Sequence, residues 1–102
     1  MIKYIVIPEK RTVVGILENT DIDAYHKINK MLDGTNIFVD IGKYLIPNRF
    51  KVSVVCDKMD EFDEEIGKNI AKERLMRKYY KSLDSRLLKF KNEIEKIHKK
   101  IS

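Results

Sequence analysis

Basic side chains crowd one stretch of this sequence: Lys68, Lys72, Arg74, Arg77, Lys78, Lys81 and Arg86. On a helix, Arg74, Arg77, Lys78 and Lys81 are neighbours at three- and four-residue separations. Arginine forks match phosphate oxygens two at a time. Phe62, Tyr79 and Tyr80 supply flat apolar surfaces near the same run. A base stacked on a ring beside a phosphate clamp is a common way to hold a nucleotide. The plainer reading has Phe62 and Tyr80 buried in a core and the lysines lining a solvated helix face. Phe62, at the helix entrance, suits the binding role better than Tyr80.

Other reactive residues offer less. Asp57, Asp60, Glu61, Asp63, Glu64 and Glu65 form an acidic cluster just before the basic run. Paired carboxylates can bind magnesium or exchange protons. These fit no calcium-loop spacing, and they sit where a helix N-terminus favours negative charge. The single cysteine, Cys56, ends an apolar run and reads as a small buried hydrophobe. It cannot form an internal disulfide, and with His26 and His98 it is too sparse for a structural zinc site. His26 is expected on the rim of a helix. No phosphate-loop, dinucleotide, nucleophile-elbow or zinc-protease motif occurs. The expectation is a protein without catalytic residues, metal or cofactor.

The chain has 102 residues, of which 36% are charged and 43% hydrophobic. That length suits one domain, 1–102, with a modest core. Residues 1–62 carry equal numbers of basic and acidic side chains, so the net +5 belongs entirely to 63–102. A neutral first part joined to a basic helical part points to an anionic partner. No apolar run is long enough to span a bilayer, and the opening residues are too short for a secretory signal. A soluble intracellular protein without membrane contact is expected.

The elements that must position these residues follow from hydrophobic period. Residues 2–7 and 12–17 are β-rich runs joined by Pro8-Glu9-Lys10-Arg11, which predicts a hairpin. Ile22, Tyr25, Ile28, Met31 and Leu32 recur at helical spacing, which predicts a short helix over 21–32. Thr20 is its expected N-cap and Gly34 its stop. Further strands are expected at 36–41, 44–46 and 49–56. From Phe62 onward the residues Phe62, Ile66, Asn69, Glu73, Met76, Tyr80, Leu83, Leu87, Phe90, Ile94, Ile97 and Ile101 follow alternating four- and three-residue steps. N-cap residue types at Ser82, Asp84 and Ser85 favour two helices, about 61–81 and 84–101, over one. The fold class is therefore α+β. A small N-terminal antiparallel sheet with a short inserted helix (1–56) precedes one or two long C-terminal helices (57–102). A small sheet cannot cover so long a seam, so a homodimer or higher homo-oligomer is expected.

Two stretches carry a resemblance. One is Lys10-Arg11-Thr12-Val13-Val14-Gly15-Ile16-Leu17-Glu18-Asn19. The other starts at Val54-Val55-Cys56-Asp57, passes through Phe62-Asp63-Glu64-Glu65-Ile66-Gly67-Lys68-Asn69-Ile70-Ala71, and ends at Lys72-Glu73-Arg74. The chain resembles the first-described Thoeris anti-defence family, phage proteins called sponges. The matching stretches cover about a third of the chain, and residues 20–48 fall outside them as an expected insertion.

The resemblance implies a non-enzymatic function in the host-cell cytoplasm. Members bind cyclic ADP-ribose isomers made by bacterial TIR-domain enzymes, in pockets between protomers, so that the defence effector is not triggered. Some assemble further and also hold cyclic oligonucleotides. By position, the resemblance makes Phe62 the base-stacking residue and Arg74 a phosphate contact. Asn69 and Lys72 would meet ribose or phosphate, with Arg11 contributing from the sheet side. Arg77, a turn beyond Arg74, is the second arginine available to a diphosphate. The competing expectation is a small basic module that binds nucleic acid or a host factor. Steep salt dependence would mark nucleic-acid binding.

Overall fold

The structure, a computed structural model, describes residues 1–101, with side chains through Lys99. It is α+β: a three-stranded antiparallel sheet at the N-terminus, a short helix and a long C-terminal helix. The strands are β1 (Ile2–Ile7), β2 (Thr12–Glu18) and β3 (Arg49–Val55), and the helices are α1 (Asp23–Met31) and α2 (Glu64–Ile101). No helix of the described residues is long and apolar enough to cross a membrane. The chain divides into two compact units, one of residues 1–19 and 49–79, the other of 20–48 and 80–102. Helix α2 contributes to both.

In the first unit the expected hairpin forms. Pro8–Lys10 makes a single 3-10 turn, and Arg11 closes it in the left-handed region at φ 50°. The Arg11 N–H donates to the Pro8 carbonyl at 3.0 Å, which returns the chain into β2. β2 is the central strand, paired with β1 and β3. Register sets Val13 between Val6 and Val54, Gly15 between Tyr4 and Val52, and Leu17 between Ile2 and Phe50. Residues opposite each other share a face, so this set forms one apolar surface. Ala71 and Leu75 of α2 are fully buried there, and a Cβ added to Gly15 would stand 2.8 Å from Leu75 Cδ1. Phe50 meets Tyr79 edge to face, with ring centroids 5.9 Å apart.

In the second unit α1 buries Ala24 and Ile28. Its stop follows expectation: Leu32 caps it, Thr35 N–H returns to the Leu32 carbonyl at 3.0 Å, and Gly34 takes φ 81°. Its start does not. The helix begins at Asp23 rather than 21, and Ile22 precedes it without a side-chain cap. The Thr20 hydroxyl instead donates to the Pro47 carbonyl at 2.5 Å, fixing the segment that leads into β3.

Two expected strands are absent. Residues 36–40 have no regular structure, and Ile41–Tyr44 is a 3-10 turn capped by the Asp40 carboxylate, which accepts from Gly42 N–H at 3.0 Å. Alternation alone does not make a strand; the backbone needs a paired neighbour. Among the described residues the sheet consists of β1, β2 and β3, and residues 36–46 pair with none of them. Tyr44 is fully buried, and its hydroxyl donates to the Glu93 carboxylate. The Tyr44 ring meets Phe90 edge to face at 6.0 Å.

The expected break near Ser82–Ser85 is also absent, and α2 runs unbroken from Glu64 to Ile101. Leu83, in the middle of the supposed break, is 1% exposed. Its burial holds the backbone helical where capping chemistry would have allowed an exit. The seam is not the buried face of α2 in the first unit. Gly67, Ala71 and Leu75, at four-residue steps, face the sheet, while Ile66 of the seam is 57% exposed. The side chain of Ile101, the last seam position, lies outside the described residues.

Candidate functional site

β3 ends at Val55, and residues 56–63 carry the chain to α2. The Asp63 carboxylate accepts from the N–H groups of Glu65 (2.9 Å) and Ile66 (3.2 Å), so it caps α2 as the acidic cluster predicted. Asp57 accepts from Met59 N–H at 3.0 Å, and Asp60 N–H closes a turn onto the Asp57 carbonyl at 3.1 Å. Two of the acids are thus used by the local backbone.

This connection is held from below by Arg11. Its Nη2 donates to the carbonyl of Asp57 at 3.0 Å and to that of Asp60, and it lies 3.5 Å from Cys56 Sγ. Cys56 N–H returns to the Arg11 carbonyl at 2.8 Å. The left-handed backbone at Arg11 therefore aims a guanidinium at the loop entering α2. Its Nε is buried without a hydrogen-bond partner among the described residues.

Between this loop, the sheet and the first turns of α2 lies a cavity of about 430 Å³. Val13, Val54, Phe62, Ile66 and Ile70 give it apolar walls, Cys56 lies at its edge, and Asp57, Asp60, Glu61 and Asp63 stand at the rim. The volume falls within the usual range for small-molecule sites, about 300–1,000 Å³. An apolar slot accepts a flat ring. Rim carboxylates accept hydrogen bonds from hydroxyls or an exocyclic amine.

The residues expected to bind are only partly brought together. Phe62, half-buried, lines the cavity. Arg74 lies one turn beyond Ile70 and Arg77 two, on the same stripe of α2. Arg74 is exposed, while Arg77 donates to Glu73 Oε1 at 2.9 Å in an exposed pair. Such a pair is weak and readily exchanged for another anion. Arg11 is engaged with loop carbonyls and shapes the cavity's rim. Lys72 follows Ile70 by two residues, about 200° round the helix, and so faces away from the cavity. Asn69 is exposed on the outer side of α2, beside Ile66.

No family model, no curated protein and no solved structure matches the chain.

Sequence reasoning missed Ile70, Val13 and Val54, which build the cavity walls together with the Phe62 ring. A signal was available for Ile70, which follows Ile66 by one helical turn. For Val13 and Val54 there was none, since any alternating strand offers such residues. Cys56, expected to be a buried hydrophobe, is only half-buried just past the end of β3, with Sγ 3.5 Å from the Asp57 carbonyl and 3.6 Å from that of Glu61. His26 is exposed, as expected.

Proposed function

We propose that this protein binds and sequesters a cyclic adenine-nucleotide signal, of the glycocyclic ADP-ribose type, in the host cytoplasm and thereby blocks an anti-phage defence. The observation that carries the reading is the position of Phe62. The residue singled out for base stacking lines an apolar cavity whose helical wall continues into Arg74 and Arg77. Adenine would slide against Phe62, Ile66 and Ile70. Ribose hydroxyls would donate to the rim carboxylates, and the diphosphate would meet Arg74 and Arg77. Binding of this kind changes no covalent bond, so the ligand is released intact.

The same reading gives the exposed seam its purpose. Ile66 (57%), Tyr80 (50%) and Ile97 (49%) leave apolar surface open along α2. A second copy covering it would supply the remaining wall of an intersubunit pocket.

Calorimetry with purified glycocyclic ADP-ribose tests the proposal. Stoichiometric heat is expected, with the ligand recovered unaltered after heating the complex. The absence of heat and of thermal stabilisation with every cyclic ADP-ribose isomer and cyclic oligonucleotide would refute it. Retardation of DNA or RNA by the same protein would then favour the nucleic-acid module.

A further inference from the structure

The second unit contains a different kind of hollow. It has a volume of about 240 Å³ and is lined by Ile46, Pro47, Lys81, Ser82, Ser85 and Arg86. No acidic side chain lines it, in contrast to the carboxylate rim at Phe62. Lys81 and Ser85 are one helical turn apart, as are Ser82 and Arg86, so all four polar side chains share one side of α2. Among the described residues, Lys81 and Arg86 make no ion pair, and neither serine hydroxyl bonds to a helix carbonyl. Helical serines commonly satisfy themselves against the carbonyl four residues back. These two leave their donors open. The opposite wall is fixed. Ile46 N–H donates to the Asp21 carbonyl at 3.1 Å, and the Pro47 carbonyl accepts from Thr20.

We infer that this cleft is a binding site for the phosphoryl group of a small molecule, distinct from the Phe62 cavity. Two cations and two hydroxyls can each turn a donor toward one bound group, which suits a tetrahedral oxyanion with several acceptor oxygens. Without an anion, Lys81 and Arg86 repel each other across the hollow. With one, each side chain gains a charge-assisted hydrogen bond. Ile46, 5% exposed, gives the opposite wall an apolar surface, and Pro47, which is exposed, offers no N–H of its own.

The test is a titration of the isotope-labelled full chain with inorganic phosphate, followed by NMR, with chloride holding ionic strength constant. Saturable shifts confined to the amides of 81–86 and Ile46 are expected. Lys81→Ala and Arg86→Gln should each weaken binding by about tenfold, consistent with loss of one charged contact. Ser82→Ala and Ser85→Ala should each weaken it about threefold. Phe62→Ala should leave it unchanged, which separates this site from the proposed signal pocket. Ribose 5-phosphate binding more tightly than phosphate would identify a sugar phosphate as the ligand, and equal binding would identify free phosphate. The inference is overturned if chloride alone reproduces the shifts, or if Lys81→Ala and Arg86→Gln titrate like wild type. It is also overturned if a single-stranded oligonucleotide displaces phosphate with affinity that rises with its length.

Discussion

Gly67 of α2 and Val13 of β2 meet where neither can grow: a Cβ on Gly67 would lie 2.6 Å from Val13 Cγ2. Val13 is fully buried in the central strand and cannot swing aside. The close approach seats the first turns of α2 on the sheet, beside the Phe62 cavity, of which Val13 and Gly67 both form part.

Gly67→Ala should therefore destabilise the protein. Alanine in a helix interior gains about 1 kcal/mol over glycine, but overpacking costs about 1–3 kcal/mol. A net loss of about 1 kcal/mol is expected by urea denaturation. Adding Val13→Ala should recover part of it, because the two changes act at one contact. A single variant as stable as wild type would show that the contact relaxes freely.

Arg11→Ala should loosen the connection into α2 rather than unfold the sheet. Hydrogen exchange at Asp60 N–H and its neighbours should accelerate, since the Asp57 and Asp60 carbonyls lose their shared donor. Arg11→Lys should restore only part of the protection, because an ammonium lacks the planar fork. Unchanged exchange in Arg11→Ala would show that the turn within 57–60 stands by itself.

Tyr44 and Glu93 should give the second unit a pH dependence at both ends of the scale. Burial, then the hydrogen bond to Glu93, pushes the Tyr44 phenol up to about 12. A raised folded value means this contribution is whole below the unfolded value of about 10 and is lost as pH rises toward 12. The hydrogen bond from Tyr44 lowers the Glu93 carboxyl, with Lys43, Lys89 and Lys96 adding to the effect against partial desolvation. Its contribution is present above the ordinary glutamate range and fades as pH falls through the lowered folded value. Tyr44→Phe should flatten the acid side. It should also remove one late-titrating phenol from the ultraviolet absorbance titration.

Ligand binding should discriminate among the residues of α2. Phe62→Ala should weaken nucleotide binding by about 1–3 kcal/mol. Arg74→Ala should weaken it about ten- to a hundredfold through a lost charged contact. Lys72→Ala should change it less than about threefold, because Lys72 faces away from the cavity. Calorimetry of the three variants reads this directly. Equal losses at Lys72 and Arg74 would indicate diffuse attraction to a basic helix instead of a site.

Assembly should depend on exposed seam residues. Ile97→Asp leaves the buried residues of the protomer untouched, since Ile97 is half open to solvent. Sedimentation at micromolar concentration should show wild type as a dimer or larger and this variant as a smaller species. A monomeric wild type would remove the assembly proposal.

Several elements were legible because their causes are local. Pro8 to Arg11 closes a hairpin through proline geometry and a short turn, and Gly34 ends α1 by accepting a positive φ. Asp63 caps α2 because a short carboxylate reaches the first free N–H groups. The change of period near Phe62 marks the passage from sheet to helix wherever the chain is placed. Phe62 stands out in the sequence as an aromatic at a helix entrance, and it lines the cavity there.

Other features were decided by contacts distant in sequence. Thr20 has the chemistry of a cap but gives its hydroxyl to Pro47, 27 residues away. Residues 36–41 alternate like a strand but pair with no strand of the sheet, and Ile41–Tyr44 takes a 3-10 turn instead. Ser82 to Ser85 could end a helix, yet Leu83 is buried and the helix continues. The seam marks Ile66 as apolar surface on α2, while the close approach at Gly15 and Gly67 sets Ala71 and Leu75 against the sheet. Local chemistry fixes which conformations a segment can adopt cheaply. Burial against a partner far along the chain selects among them, and only the folded structure contains that term.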